Sequence, residues 1–371
     1  MKTLIKKISS ASDLKKFIGY PYKLYKGNAY WCPPIRRDEK DILLKKKNPA
    51  FDFCEAEYWL AYQGKEIVGR IAGIINLAAN ERWKEKRVRF GWIDFIDDQE
   101  VSCRLIEAVT EWGKSKGMDC IHGPLGFSDM DKEGMLIKGF EELSTMGTIY
   151  NYPYYPVHME KLGFEKAADW LQFIMPTDPI PDKVKRISKL VAEKYSIKPL
   201  KVKRAKELLP YASRMWDLLN LTFKDIYGFT ALTKKQINLY TKQYFSFINP
   251  DYVSFLVNDA DEVVGFGIAA PSLTKALQKC NGRLFPFGFI YLLRALRKND
   301  IVDLYLNGVH PHYQGKGIVA IYHNELQCGF IRNNIKTMVT NPQLDTNSAV
   351  LMWKMYDTRQ HIIRRCWIKH C

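Results

Sequence analysis

Residues Leu304–Ala320 read LYLNGVHPHYQGKGIVA: a strand, then a loop, then a glycine-containing turn entering a helix. Glycines at such a turn let the backbone approach a ligand closely and expose successive N–H groups, while the helix start supplies partial positive charge. The combination predicts a phosphate cradle. It is not a P-loop, because G-x-x-x-x-G-K-[ST] is absent, and not a dinucleotide fingerprint, because G-x-G-x-x-G is absent.

The elements around this stretch repeat an order found earlier in the chain. Glu57–Asn76 reads as two strands joined by Gln-Gly-Lys, a hairpin signature; a strand over Val88–Ile96, a helix over Glu100–Lys116 and a short strand at Cys120–Gly123 follow. In the second half a strand is expected over Ile197–Arg204 and helices over Ala205–Thr222 and Thr233–Phe247. A hairpin then turns at Asn258–Glu262, and a strand over Asp303–Val309, a helix over Gly317–Asn333 and a strand over Lys336–Thr340 complete the set. Between the halves, MPTDPIPDKVKR contains Pro176, Pro179 and Pro181, which remove three backbone donors and mark a linker. The expected units are therefore 1–178 and 195–371.

The 371 residues suffice for two such cores, and 47 % hydrophobic with 26 % charged residues excludes wholesale disorder. The best apolar run, Ile67–Ala79, is short and broken by Arg70, so a transmembrane segment is not expected. The N-terminal MKTLIKKISSASDLKKF lacks a continuous apolar core and a cleavage site, which reads as cytoplasmic. The eight cysteines form no C-x-x-C pair and are expected as reduced thiols; His310 and His312 flank a proline without a carboxylate or thiol nearby, so no metal is expected.

The net charge of +16 is unevenly placed: residues 1–180 hold 27 Lys+Arg against 26 Asp+Glu, and residues 181–371 hold 29 against 14. A basic second half raises the local concentration of polyanions, whether a nucleotide cofactor, nucleic acid or an acidic membrane; a solvated basic face is the alternative.

The Leu304–Ala320 stretch resembles motif A of the GNAT superfamily of acyl-coenzyme A N-acyltransferases, Q/R-x-x-G-x-G/A after a strand ending near Val-x-Pro. Gln314 and Gly317 match it, after Val309, Pro311 and Tyr313, and Val319 stands where Gly or Ala is usual. The resemblance implies an α/β protein with two GNAT-like units, each a mixed, mostly antiparallel sheet flanked by helices. It also implies that acetyl-CoA or another acyl-CoA is bound by Gln314, Gly315, Lys316, Gly317, Ile318 and Val319 at its pyrophosphate, and by Leu306, Asn307, Gly308 and Val309 along its pantetheine arm. TNPQLDTNSAVLMWKMY is similar to the family's later asparagine-rich region, with Asn341 and Asn347 at its polar positions. There Trp353 occupies the position of the family's tyrosine acid, and Tyr356 is its substitute if it turns inward.

The implied reaction is direct acyl transfer to a small-molecule or peptide amine in a ternary complex. A base is then needed to generate the neutral amine, and Asp303 and Asp345 are the nearest carboxylates in sequence. In the first half, His158–Trp170 (HMEKLGFEKAADW) resembles the family's terminal segment, yet Asp94, Asp97, Asp98 and Glu100 sit where phosphates would lie, so no cofactor site is expected there.

Two rivals stand beside this reading. One is a Fem-type tandem GNAT enzyme using aminoacyl-tRNA; the other is a degenerate scaffold without turnover. The tyrosine-rich stretch Ile149–Met159 offers either base stacking or a packed loop, and His122 either a cleft residue or a structural one. The segment 272–300 is amphipathic and basic: it can wall an acceptor site, touch a membrane surface or nucleic acid, or pack on its own domain.

Overall fold

A computed structural model of the chain describes residues 2–245 and 248–371. The first half contributes β1 (Thr3–Lys7), α1 (Ala11–Leu24), α2 (Arg36–Leu43), β2 (Cys54–Gln63), β3 (Glu66–Asn76) and α3 (Leu77–Trp83). It continues with β4 (Arg87–Phe95), α4 (Gln99–Ser115), β5 (Cys120–Gly123), β6 (Met135–Lys138), α5 (Tyr154–Lys161) and β7 (Glu165–Pro176). The second half contributes α6 (Asp182–Tyr195), β8 (Lys198–Pro199), α7 (Leu209–Phe223), α8 (Lys234–Tyr240), β9 (Val253–Val257) and β10 (Val263–Pro271). After them come α9 (Thr274–Cys280), α10 (Gly288–Arg297), β11 (Ile301–Val309), α11 (Val319–Arg332), β12 (Thr337–Val339), β13 (Gln343–Leu344) and β14 (Arg359–His370). Among the described residues no helix is long and apolar enough to cross a membrane.

The chain divides into two compact units. The first takes the chain through Leu171 together with Thr274–Leu292 and His361–Cys371; the second takes Gln172–Leu273 and Leu293–Gln360. The cut expected at 178 and 195 is thus corrected in two places, since both the 274–292 segment and the C-terminal strand belong to the first unit. The reason is sheet pairing. Trp367 lies opposite Gly123 and Ile368 opposite His122 in an antiparallel ladder between β14 and β5. Such a partnership between distant segments leaves no periodic trace in a linear reading.

In the first unit β1–β2–β3–β4 form an antiparallel run, β5 joins β4 in parallel, and β14 follows. Apolar residues of α4 (Val101, Leu105 and Val109) pack with Phe90, Phe95 and Trp367 into a dry core. Gly69 is small because a Cβ there would meet Leu105 Cδ1 at 2.7 Å, so helix and sheet approach closely at that point. The tyrosine-rich stretch forms α5 and packs inward: Tyr155 is fully buried, and its ring stacks on Phe95 with centroids 4.1 Å apart. It is a core element and not a stacking platform.

The second unit's sheet runs β12–β11–β10–β9–β8, with β11 and β12 parallel and the other pairs antiparallel; the end of β7 pairs with β12. The strand expected over Ile197–Arg204 shrinks to β8, whose two residues bond the outer edge of β9. The helix expected over Thr233–Phe247 is α8 followed by a π-helical segment at Thr241–Phe245, and residues 246–247 lie outside the described residues. The predicted linker is only partly one. Pro176 ends β7 and Pro181 immediately precedes α6, a 14-residue helix that the three prolines concealed.

Candidate functional site

Strand β11 is held on one side by β10 along most of its length. On the other it pairs with β12 only at Ile301, Val302 and Asp303. Past Asp303 the register ends, so β11 continues to Val309 while β12 stops at Val339. Beyond that point Leu306, Asn307, Gly308 and Val309 have no strand partner on the β12 side among the described residues. Register between β10 and β11 slips once: Ile268 faces Leu306 but Ala269 faces Leu304, leaving Tyr305 as the extra residue of a bulge. The slip reverses the in–out alternation. Gly308 then faces α7, where a Cβ would meet Thr222 Oγ1 at 2.9 Å, and Gly267, opposite Asn307, faces Tyr322 and Leu326 of α11.

The turn at the end of the strand is built to leave donors unspent. Gln314 Nε2 donates to Val309 O at 3.0 Å, fastening the turn to the strand end. The amides of Lys316, Ala320 and Ile321 donate to Tyr313, Gly317 and Ile318, which leaves those of Gly315, Gly317, Ile318 and Val319 as the turn's available donors. Gly315 and Gly317 have φ of +73° and +81°, conformations that L side chains rarely adopt. Nothing lies within 4 Å of a Cβ built on Gly315, whereas one on Gly317 would meet Ile187 and Val191 of α6 at 3.2 and 3.3 Å. The turn is therefore open above and floored below. Ile318, at the N-cap of α11, has no side-chain capping bond. Lys316 Nζ stands 5.5 and 5.7 Å from the ring centroids of Tyr195 and Tyr313, which keep a cation beside the turn. His310 Nδ1 accepts the His312 amide at 3.2 Å, so this ring shapes the loop.

These residues suit a diphosphate: four backbone amides of one turn have no acceptor among the described residues, at an uncapped helix start beside a cation. Ahead of the turn, Arg214, Asp217, Asp261, His310, His312 and Tyr313 line part of a cleft of about 700 Å³, whose lining includes neither Gln314–Val319 nor Leu306–Val309.

Asp303, the last residue of β11 paired to β12, is 2 % exposed, and neither carboxylate oxygen has a hydrogen-bond partner. Burial pushes its carboxyl up to about 7, offset in part by the nearby Ser272 hydroxyl. Tyr356 is turned inward: it is 9 % exposed, its hydroxyl has no partner, and burial holds its phenol well above the usual range. It belongs to a buried aromatic group with Trp353 and His323, at centroid distances of 5.9 and 6.1 Å. Trp353 Nε1 donates to Gln343 Oε1 at 2.8 Å, which satisfies the indole and fixes it as a wall. Burial lowers His323 to about 3, so this imidazole stays neutral.

The structure thus collects the strand residues Leu306–Val309 and the turn residues Gln314–Val319 along one strand–turn–helix path. Asp303 sits on that same strand, and Tyr356 packs against α11 through His323. Asp345 is exposed on the turn after β13, and Asn347, also exposed, donates its amide to Leu344 O; Asn341 is half-buried near Gln343. The sequence reading missed Ile187, Val191 and Tyr195 of α6, although Val184, Ile187, Val191 and Tyr195 carry a helical period. It also missed His323, whose role as a buried neighbour of Tyr356 depends on packing alone.

No protein-family profile matches the chain. It is 29 % identical over 357 residues to protein YghO of Escherichia coli (strain K12), covering 94 % of this chain and 90 % of that one. It is also 26 % identical over 313 residues to a bacterial ceramide synthase of Caulobacter vibrioides, covering 83 % and 80 %. A solved tandem GNAT protein from the clavulanic acid biosynthesis pathway superposes over 100 % of this chain and 98 % of its own, with a TM-score of 0.55 and 10 % identity.

The chain has the tandem GNAT fold. A GCN5-related N-acetyltransferase from Sphaerobacter thermophilus agrees, with a TM-score of 0.53 at 10 % identity over 99 % of this chain and 95 % of that one. In GNAT terms the second unit carries the splayed parallel strands and the glycine turn, and the first carries the strands without the turn.

Proposed function

We propose that the protein is an acyl-coenzyme A-dependent N-acyltransferase, with the donor held by the second GNAT unit and the acyl group passed directly to an amine. The observation that carries this reading is the edge of β11 left without a β12 partner beyond Asp303, leading into a glycine turn whose helix start has no side-chain cap. The amides of Gly315, Gly317, Ile318 and Val319 hold the diphosphate, Lys316 adds charge, and the free edge of β11 from Leu306 to Val309 pairs with the pantetheine amides. A bound acyl-coenzyme A supplies an acyl carbon activated as a thioester. Asp303, with its carboxyl raised to about 7, takes a proton from the acceptor's ammonium, leaving the neutral amine as nucleophile. The amine attacks the thioester carbon and the C–S bond breaks; Tyr356, kept protonated by burial, gives its proton to the departing sulfur, and the second proton lost by the nitrogen as the amide forms restores the phenol. Asp303 supersedes Asp345 as base because it is the buried carboxylate on the splayed strand.

The test is a calorimetric titration with acetyl-coenzyme A and a longer acyl-coenzyme A, followed by a thiol-release assay against an amine panel. The ceramide synthase relative places a long-chain amino alcohol in that panel beside polyamines and peptides. Coenzyme A binding with acceptor-dependent thiol release is the expected result. Failure of the protein to bind any coenzyme A species overturns the reading, and salt-sensitive tRNA binding in its place moves it to the Fem type.

A further inference from the structure

Between β10 and β11 the chain leaves the sheet and returns as a hairpin of α9 and α10, and its exposed side is unlike the rest of the surface. Phe285 and Phe287 are each 71 % exposed on the tip joining the two helices. Leu293 is 49 % exposed, and Phe289 and Tyr291 are each 39 % exposed along α10. Five large apolar side chains are thus exposed within nine residues, and the Phe285 and Phe289 ring centroids lie 6.1 Å apart. Phe289, Leu293 and Arg297 follow one another at helical i, i+4 spacing, so the apolar stripe runs into a cation.

The charges around the patch have one sign. From Ser272 to Asn299 there are six cations, Lys275, Lys279, Arg283, Arg294, Arg297 and Lys298, and no Asp or Glu. All six are exposed, and no salt bridge engages any of them among the described residues. The base of the hairpin is firmly held. Thr274 Oγ1 donates to Ser144 O at 2.8 Å, Gln278 Nε2 to Ala29 O and Trp31 O at 2.8 and 3.0 Å, and the Arg36 amide to Gly282 O at 3.0 Å. Fixed at its root, the tip presents its phenylalanines to solvent by construction.

We propose that this hairpin is a docking element for an anionic lipid surface, with the Phe285–Phe287 tip and the Phe289–Leu293 stripe entering the interface and Arg283, Arg294, Arg297 and Lys298 at the headgroups. Two signals, apolar insertion and attraction to acidic lipid, are the requirement for peripheral membrane binding, and both occur here on one helix and its turn. Nucleic acid explains the cations and could stack the rings, but it gains nothing from Leu293, which extends the stripe as an aliphatic side chain. The inference stands on the hairpin and does not depend on the transferase reading.

The full chain is sedimented with vesicles of phosphatidylcholine alone and of phosphatidylcholine mixed with phosphatidylglycerol. Expected is binding to the mixed vesicles at least about tenfold stronger than to neutral ones, and at least about tenfold weaker binding by the double variant Phe285→Ser/Phe287→Ser. Thermal melting of that variant should be unchanged, because both side chains are exposed. A Phe287→Trp variant should show a blue-shifted emission on adding mixed vesicles. No sedimentation with mixed vesicles at low salt overturns the proposal, as does equal binding by the double variant. Binding of tRNA that the phenylalanine changes weaken while vesicle binding stays absent assigns the surface to nucleic acid and likewise overturns it.

Discussion

Both units contain a parallel strand pair that ends early, and in the first the chain itself covers the strand beyond it. In the first, β4 pairs in parallel with β5 at Arg87, Val88 and Arg89 and beyond them keeps only its β3 partner, as β11 keeps only β10 after Asp303. There the chain itself fills the gap. Leu125 N bonds Phe90 O at 2.9 Å, Tyr155 Oη accepts from Phe95 N at 3.0 Å and Tyr154 Oη donates to Phe95 O at 2.6 Å. A Cβ on Gly91 would lie 2.4 Å from Leu125 O, which shows how tightly the plug fits. The helix starts differ in the same sense: Asp98 caps α4 through the Glu100 amide at 2.9 Å, while α11 begins at glycine turns and an uncapped Ile318. A GNAT fold therefore supplies a splayed pair of strands, and what occupies the free edge and the helix start decides whether that pair can take a ligand.

The largest expected effect comes from making the second helix start resemble the first. Gly315→Asp places a carboxylate on an exposed turn with no neighbour within 4 Å, in a left-handed conformation that Asp tolerates better than most residues. Two charge-assisted hydrogen bonds lost at about 1.5–3 kcal/mol each predict coenzyme A binding weaker on the order of 1,000-fold, read by calorimetry. Unchanged affinity would remove the glycine turn from the site.

Next, Asp303→Asn should lower kcat by about 100-fold or more and abolish the rise in rate that wild type shows as pH increases through about 7. Its stability effect has a definite sign. A carboxyl whose folded value lies above its unfolded one favours the protonated fold, a contribution complete below about pH 4 and lost as pH rises towards 7. The melting temperature of Asp303→Asn relative to wild type should accordingly be higher at pH 8 than at pH 4, by a few degrees in thermal scans. Smaller again is Tyr356→Phe, which removes only a partnerless hydroxyl. We expect kcat about tenfold lower with KM for the acyl donor unmoved. An equal fall in donor affinity would make Tyr356 part of the binding wall and not a proton donor.

Much of this contrast was legible in the residues. The glycine turn announced itself because Gly315 and Gly317 combine with a preceding strand and a following helical period, all of them local signals. The acids Asp94, Asp97 and Asp98 read as hostile to phosphate at the first unit's helix start, and the structure gives each of them a partner within the fold. Asp98 caps the helix, Asp97 meets His158 at 3.0 Å, and Asp94 is bonded to Arg70 and Tyr25 at 2.7 and 2.8 Å. Long-range facts were hidden. The pairing of β14 with β5, the plug made by Leu125, Tyr154 and Tyr155, and the inward turn of Tyr356 all depend on segments brought together only by folding, for which no spacing rule exists. The helix α6 was hidden differently: its apolar period is present, but Pro176, Pro179 and Pro181 stand directly before it and read as a break.

The smallest effect tests whether the first unit's closure is structural. Asp98 accepts from the Glu100 amide and from Gln63 Nε2 at 2.8 Å, and the Gln63 bond is the main cause of its lowered carboxyl value. Asp98→Ala should cost about 1 kcal/mol of stability, the usual worth of a helix cap, or a few degrees in melting temperature. Since a carboxyl lowered on folding stabilises only while ionised, the gap between variant and wild type should be full at neutral pH and close as pH falls through the Asp98 value. Coenzyme A affinity should not change, and no second binding event should appear, because the uncapped α4 would still face a strand edge covered by Leu125, Tyr154 and Tyr155. A second site gained on removing Asp98 would mean that the cap, and not the filled edge, is what closes the first unit.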